Sequence, residues 1–211
     1  MTTVAIFGAG SVGRALAERF VTAGIDARFG VRDAEATRGK LTGAIAQVPV
    51  MSTADAAAGA DVIVLAVPAA AAVDAARSAG SLTGQVVLDC TNPLRWDAGP
   101  VWAPPAEGSV TAQLAAAFPA ARVVKGFNQF GAEIQRHPAL AGGAADAFFA
   151  GDDAGAKALA MDLARQMGFT PRDAGPLRNA AVLENVAVLW IHLATVGGVG
   201  RNFAFRIDAQ A

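Results

Sequence analysis

Three glycines near the start of the chain have the spacing of a phosphate-binding turn. They follow the apolar residues 4–7 and precede a helical pattern over residues 14–20. Gly8 permits a tight turn, Gly10 lets a pyrophosphate approach the backbone, and Gly13 lets the helix pack closely on the strand. Free N–H groups at the start of the helix attract the anion. We therefore expect the whole turn to contact a dinucleotide, namely Gly8, Ala9, Gly10, Ser11, Val12 and Gly13.

The charged residues after the second predicted strand, residues 25–29, indicate which dinucleotide binds. Arg32 comes first, and its planar guanidinium can grip a 2′-phosphate through two parallel hydrogen bonds. This favours NADP, with Arg38 as a second positive charge and Lys40 as a weaker candidate. An ordinary solvated helix surface explains Arg38 and Lys40 equally well. Asp33 could instead hold the ribose of NAD, because NAD-specific folds carry an acidic residue about 20 positions beyond the glycines.

Alternating strands and helices must position these groups. Residues 61–67 form a continuous apolar run, which is typical of a strand buried on both faces of a parallel sheet. The pattern predicts an α/β fold: an open, doubly wound, mostly parallel Rossmann sheet with a short C-terminal helical appendage. We divide the chain into a dinucleotide-binding domain, residues 1–175, and a C-terminal segment, residues 176–211. Later strands are expected at residues 85–89, 122–125, 147–151 and 170–173, with an irregular stretch over residues 96–108.

The ends of the predicted strands should form the site, because ligands of such sheets lie beyond the carboxyl ends of the strands. Two groups of small, neutral residues at strand ends are expected to contact the cofactor: Ala66, Val67 and Pro68, and Thr91, Asn92 and Pro93. Lys125 and Asn128, at a later strand end, are candidate catalytic residues. Lys125 would polarise a carbonyl, contact a phosphate, or be an ordinary surface lysine.

The amino-acid composition indicates which binding partners and which cellular compartment to expect. Hydrophobic residues make up 54% of the 211-residue chain and charged residues 17%, against a usual ~25% charged. We therefore expect a homodimer that buries part of this apolar surface. The net charge of −1 without a basic run argues against nucleic acid and membrane partners. The single cysteine, Cys90, excludes an intrachain disulfide and a multi-cysteine metal site. A cytoplasmic location is expected because no leader precedes the first strand.

The C-terminal segment contains a helix that is apolar on nearly every face. Such a helix is expected to be buried all round, against the sheet and a second subunit. His192 lies in this apolar run, so a core or interface histidine is a better interpretation than a catalytic one. His137 is expected in a solvated loop, and Cys90 in ordinary packing.

Five short motifs together resemble one family. They cover residues 8–13, 29–32, 124–128, 149–153 and 173–177, and their order is similar to that of the deazaflavin-dependent NADP oxidoreductases, that is, NADPH:coenzyme F420 reductases. The reductase domain of the STEAP metalloreductases is similar too. The resemblance implies NADP(H) on the glycine turn, Arg32 on the 2′-phosphate, and a flavin or deazaflavin against the nicotinamide. Val31 occupies the family's serine position at that phosphate, and Asn128 stands where archaeal members have histidine.

Hydride transfer to a flat acceptor fits the few groups that could act as acid or base. The chain has no tyrosine, which excludes a tyrosine-dependent dehydrogenase mechanism. It has two histidines that could act as acid or base near neutral pH. Transfer between a nicotinamide and a flavin-like ring needs positioning and no protein acid. The acceptor stays open between F420, FMN, FAD and another small molecule. Reduction of a small carbonyl or imine assisted by Lys125, and a non-enzymatic NADP sensor, are the alternatives. The expected lining of the acceptor pocket is Thr91, Asn92, Pro93, Asn128, Gly175, Pro176 and Leu177.

Overall fold

A computed structural model describes residues 2–209 as a parallel sheet with helices on both faces. The strands are β1 (Thr3–Phe7), β2 (Asp26–Gly30), β3 (Val50–Met51), β4 (Val62–Leu65), β5 (Val86–Asp89), β6 (Leu94–Trp96), β7 (Pro100–Trp102), β8 (Arg122–Lys125), β9 (Ala139–Leu140), β10 (Gly143–Ala144), β11 (Asp146–Phe149) and β12 (Thr170–Asp173). The helices are α1 (Ser11–Thr22), α2 (Ala34–Arg38), α3 (Thr53–Ala57), α4 (Ala72–Arg77), α5 (Val110–Ala117), α6 (Ala132–Arg136), α7 (Ala154–Gln166) and α8 (Ala180–Thr195). Short 3₁₀ turns cover Gly43–Ile45, Ala69–Ala71 and Leu177–Asn179.

The central sheet has six strands in the order β3-β2-β1-β4-β5-β8, and all neighbours are parallel. The order reverses between β1 and β4, which is the switch point of a doubly wound fold. Every residue of β4 and β5 is buried, because hydrophobic clusters cover both faces of the sheet. The predicted fold class is therefore confirmed.

Two segments differ in detail from the expected sheet. Strands β11 and β12 form a separate parallel pair that meets the main sheet through one antiparallel bridge, in which Lys125 and Ala150 exchange two backbone hydrogen bonds. Contact at a single residue pair is too short to make β11 a seventh strand of the central sheet. Within the stretch expected to be irregular, β6 and β7 pair as an antiparallel hairpin that begins directly after Pro93.

Helix α8 is buried on one face by the described chain, so the expected burial of its other face against a second subunit stays a prediction. Leu183, Glu184 and Trp190 lie on its buried face, whereas Val182 and Leu189 on the other face and Val196, the C-cap residue, are 58%, 50% and 49% exposed. We call these three exposed residues the α8 stripe. His192 is exposed too, so it is no core histidine. Helix α8 packs against β7 of the hairpin and against the 3₁₀ turn Leu177–Asn179.

The division of the chain at residue 175 stays a prediction. Trp190 of α8 belongs to the same hydrophobic cluster as β1 and α1, so the C-terminal segment shares the core of the sheet. Within residues 2–209, no helix is both long enough and apolar enough to cross a bilayer.

Candidate functional site

The glycine turn has the shape that its spacing predicts. Gly8 adopts a φ of +100°, and a Cβ there would lie 2.5 Å from the backbone oxygen of Ala66. A Cβ on Gly13 would lie 2.0 Å from the backbone oxygen of Gly8, so neither position accepts a side chain without a shift of the backbone. Gly10 has open space where its side chain would be. The turn therefore brings α1 close to β1 and leaves its own backbone accessible.

The N-terminus of α1 fits an anionic ligand. Its N-cap is Gly10, which supplies no side-chain hydrogen bond, so within the described chain no side chain caps the first N–H groups of the helix. Such groups carry partial positive charge and bind phosphate when one is present. The turn thus meets the requirements of a dinucleotide pyrophosphate.

An open cleft of about 710 Å³ runs from this turn to the end of β2. It contains most of the predicted cofactor contacts on the β1, β2 and β4 side. Its lining includes Gly8, Ala9, Gly10, Val31, Arg32, Asp33, Thr37, Lys40, Ala66, Val67 and Pro68.

The basic residues at the cleft are not the expected pair. Arg32 lines it and is exposed, but Arg38 points away, because its Nη2 donates to the backbone oxygen of Val50 at 3.0 Å. Lys40, the weaker candidate, lines the cleft instead. Asp33 accepts a hydrogen bond from the backbone N–H of Ala36 and caps α2, which gives its carboxylate a structural task.

Four strands end side by side at the edge that faces the predicted site. Their last residues, Phe7, Leu65, Asp89 and Lys125, are register partners from β1 to β8. Neighbouring strands are about 4.8 Å apart, so the end of β5 lies roughly 10 Å from the end of β1. Thr91 lies just after the end of β5. It is therefore within reach of the far end of a dinucleotide that binds on the glycine turn.

Lys125 was expected to face an open site, but the structure buries it. It is fully buried, and its Nζ donates to Asp89 Oδ2 at 3.0 Å, to Glu184 Oε1 at 3.0 Å, and to the backbone oxygen of Thr91. All three of its donors are thus used within the protein. Asp89 also accepts from the backbone N–H of Thr91 and from the hydroxyl of Thr111. We call Asp89, Lys125 and Glu184 the buried triad.

Glu184 is the residue that the sequence interpretation missed. Its Oε2 accepts from the indole N–H of Trp102 at 2.9 Å, and its Oε1 accepts from the backbone N–H of Val110 at 3.0 Å. Val110 opens α5, so the positive end of that helix faces the carboxylate. A charged residue inside an apolar helix was the available signal, because such a residue is buried only with partners.

The predicted catalytic residue Asn128 is occupied by structural hydrogen bonds. It is 3% exposed, and its Nδ2 donates to Asn92 Oδ1 at 2.8 Å and to the backbone oxygen of Leu183 at 3.0 Å. Asn92 returns a hydrogen bond from its Nδ2 to the Asn128 backbone oxygen at 2.9 Å. Asn92 is half-buried and keeps one N–H free of these bonds. Of the two amides, Asn92 is therefore the one able to contact a ligand.

Backbone strain accompanies this amide pair. Phe127 adopts a φ of +58°, which is rare for a bulky residue and costs about 1–3 kcal/mol. It is fully buried, and its ring packs edge-on against Phe149 at 5.2 Å and Phe169 at 5.5 Å. This packing holds the turn that directs Asn128 toward Asn92.

The other predicted contacts lie beside the cleft. Thr91 is buried, and within residues 2–209 its hydroxyl has no hydrogen-bond partner. Gly175 accepts a hydrogen bond from Lys157 Nζ at 3.0 Å, and the N–H of Leu177 donates to Asp152 at 2.8 Å. The turn that contains Leu177 packs on β8 and α5, with Pro176 exposed just before it. The structure thus places Gly175, Pro176 and Leu177 near the end of β8, outside the lining of the cleft.

Comparisons with known proteins match this geometry. A family model described as "NADP oxidoreductase coenzyme F420-dependent" matches residues 3–93. A protein of Arthrobacter sp. FB24 assigned as an F420-dependent NADP reductase is 32% identical, with a TM-score of 0.87 over 99% of this chain and 100% of that one. The chain belongs to the coenzyme F420-dependent NADP oxidoreductase family. It is accordingly an NADP-dependent oxidoreductase.

Three further proteins are similar to this chain over most of its length. A hypothetical protein of Sinorhizobium meliloti is 33% identical, with a TM-score of 0.72 over 84% of this chain and 86% of that one. The rat metalloreductase STEAP3 is 33% identical over 87% of this chain, which spans 36% of the length of STEAP3. A reductive aminase of Aspergillus terreus shares the fold at 20% identity, with a TM-score of 0.68 over 94% of this chain and 63% of that one.

Cys90 yields a prediction about the stability of this oxidoreductase. Burial raises the pKa of its thiol well above the usual range, the charge of Asp89 raises it further, and Lys125 lowers it in part. The unfolded thiol ionises near pH 8.5, so above that pH the unfolded state releases the proton first and the free energy of unfolding falls. From about pH 8 to about pH 10, we expect the wild type to lose about 2 kcal/mol more than Cys90→Ala. Urea denaturation at both pH values measures this, and equal losses contradict it.

Proposed function

We propose that the protein transfers a hydride between NADP(H) and a flat, flavin-like acceptor: coenzyme F420, FMN or FAD. The observation that carries this proposal is the buried ammonium of Lys125, whose three donors are all used inside the protein. Asn128 is likewise committed to the protein, which leaves neutral groups at the strand ends. A site of this kind can orient two rings without moving a proton, and transfer between such rings requires no more.

The residues of the cleft would hold the adenosine half of the cofactor. Gly10 and the N-terminus of α1 would bind the pyrophosphate, since their N–H groups lack a side-chain cap. Arg32 and Lys40 would bind the 2′-phosphate, and Thr37 lies on the same lining with a hydroxyl to offer. Val31 offers no hydroxyl, so the two cations supply the selectivity for NADP.

The residues after β5 would hold the nicotinamide end. The hydroxyl of Thr91 lacks a partner within residues 2–209, and Asn92 keeps an N–H free of its bonds to Asn128. An amide or hydroxyl of the ligand would satisfy both groups. When bound, the nicotinamide supplies the hydride. Pro93 and the segment of Gly175 to Leu177 would border the acceptor.

Mixing the protein with NADPH and each of F420, FMN and FAD tests the proposal. We expect the absorbance of the dihydronicotinamide to fall with at least one acceptor, because the site orients the rings without a dedicated acid. No oxidation with any of them would sink the proposal. Oxidation only with a ketone or an imine would favour the carbonyl or imine alternative, and tight binding of NADPH without any turnover would favour a sensor.

Substitution of the two arginines tests the cofactor preference. In Arg32→Ala we expect the Kd for NADPH to rise roughly 10-fold to 100-fold, the effect of losing hydrogen bonds to a charged group, about 1.5–3 kcal/mol. The Kd for NADH should stay unchanged. Arg38→Ala is the matched control and should change the Kd for NADPH by less than about threefold, because Arg38 bonds to Val50. Titration of intrinsic fluorescence measures these dissociation constants for the wild type and both variants. Equal affinity of the wild type for NADPH and NADH overturns the role of Arg32.

We also propose a homodimer in the cytoplasm, with the α8 stripe covered by a second copy. Val182, Leu189 and Val196 are spaced by seven residues, so they lie on one helical face as in paired helices. Light scattering should give twice the chain mass of 21.3 kDa, and Leu189→Glu should give the mass of one chain. A wild type that is monomeric at working concentration contradicts the dimer.

A further inference from the structure

One turn of α8 holds the loop after β5 by two separate routes. Leu183 and Glu184 are consecutive residues, and each ends a chain of hydrogen bonds that leads to the same short segment, Thr91 and Asn92. The loop itself lies at the carboxyl edge of the sheet, where the nicotinamide end of the cofactor is proposed to bind. A C-terminal helix is therefore connected directly to the reacting end of the site.

The first route is electrostatic. Glu184 Oε1 accepts from Lys125 Nζ at 3.0 Å, and the same Nζ donates to the backbone oxygen of Thr91. The backbone N–H of Thr91 is held from the other side by Asp89 Oδ1 at 2.9 Å. The backbone N–H and the backbone oxygen of Thr91 are thus both held by members of the buried triad. In a buried site such charge-assisted bonds are strong and leave little freedom of position.

The second route is a pair of amides. The backbone oxygen of Leu183 accepts from Asn128 Nδ2 at 3.0 Å, and the same nitrogen donates to Asn92 Oδ1 at 2.8 Å. The Asn128 backbone oxygen accepts from Asn92 Nδ2 at 2.9 Å. The plane of the Asn92 amide is therefore fixed at both ends.

The charge of Glu184 is what makes the first route rigid. Without that carboxylate, the Lys125 ammonium would have Asp89 as its single charged partner and could move toward it. The carboxylate in turn is fixed by the N-terminus of α5 and by the indole of Trp102. The position of the Thr91 backbone oxygen is thus set by a residue far along the chain.

From this arrangement we infer that Glu184 is a positioning residue for hydride transfer, acting through Lys125 on the backbone of Thr91 and Asn92. Glu184 touches neither cofactor nor acceptor. It holds the loop at the distance and angle at which the bound nicotinamide faces its acceptor. The inference rests on the proposed hydride transfer, and its test includes a measurement that does not depend on turnover.

The test compares three variants with the wild type. Glu184→Gln keeps the shape and removes the charge. Lys125→Met/Glu184→Leu removes the Lys125–Glu184 pair and leaves Asp89 with its hydrogen bonds from the Thr91 N–H and the Thr111 hydroxyl. Because Asp89 then lacks a charged partner, the thermal stability of this variant is measured beside its kcat. Glu107→Gln, an exposed carboxylate in the segment before α5, is the control.

In the double variant we expect kcat to fall by roughly 10-fold to 100-fold, because a small misplacement of reacting rings has effects of that order. The KM for NADPH should change by less than about threefold, since the cleft residues that bind the adenosine half are untouched. Glu184→Gln should show a smaller fall in kcat, again with little change in the KM for NADPH. Glu107→Gln should match the wild type in both. A purely structural role would instead lower thermal stability and leave kcat of the folded protein unchanged.

Amide hydrogen exchange with NADPH present supplies the measurement independent of turnover. The peptide covering residues 90–96 should exchange faster in both Glu184 variants, while the peptide covering residues 4–16 should exchange as in the wild type. If none of the acceptors tested is reduced by NADPH in the presence of the wild type, the proposed function fails. Hydrogen exchange alone then decides the positioning role of Glu184. Unchanged exchange over residues 90–96, or a kcat within threefold of the wild type in both folded variants, overturns the inference.

Discussion

The burial of Lys125 between Asp89 and Glu184 is the constraint on which the site depends. Removing three charged groups from water is costly, and a carboxylate left without its partner in such a place destabilises a protein by about 3–5 kcal/mol. The fold meets this cost with complete pairing: the indole of Trp102, the hydroxyl of Thr111 and two backbone N–H groups bond to the carboxylates besides Lys125. The hairpin, α5 and α8 therefore have one arrangement around the ends of β5 and β8.

The features that the sequence predicts correctly are local in the chain. The glycine turn depends on steric rules over six residues, and the buried strands depend on runs of apolar residues, so both follow from short segments. The triad does not, because Lys125 and Glu184 are 59 residues apart in sequence and meet only after the sheet has formed. Lys125 at a strand end could as well have faced solvent. Its direction is set by carboxylates on β5 and α8 that no local pattern connects.

Side-chain direction also explains the difference between Arg38 and Lys40. Both follow Arg32 at spacings compatible with a phosphate contact, and helical periodicity does not decide between them. The last turn of α2 places Arg38 against the start of β3, where the backbone oxygen of Val50 is available. Lys40 lies beyond the helix and returns to the cleft. Helix α8 shows the same limit, since its composition indicates burial but only its neighbours decide which face is covered.

The distribution of these contacts along the chain has a consequence for how the protein is made. The glycine turn closes on Ala66 and Gly30, so its contacts lie within the first third of the sequence. The hydrogen bonds of Leu183 and Glu184 that help to hold the loop of Thr91 and Asn92 form only after the last part of the described chain has been synthesised. Since domains fold from the N-terminus during synthesis, the contacts of the glycine turn are able to form before those between α8 and the loop of Thr91 and Asn92.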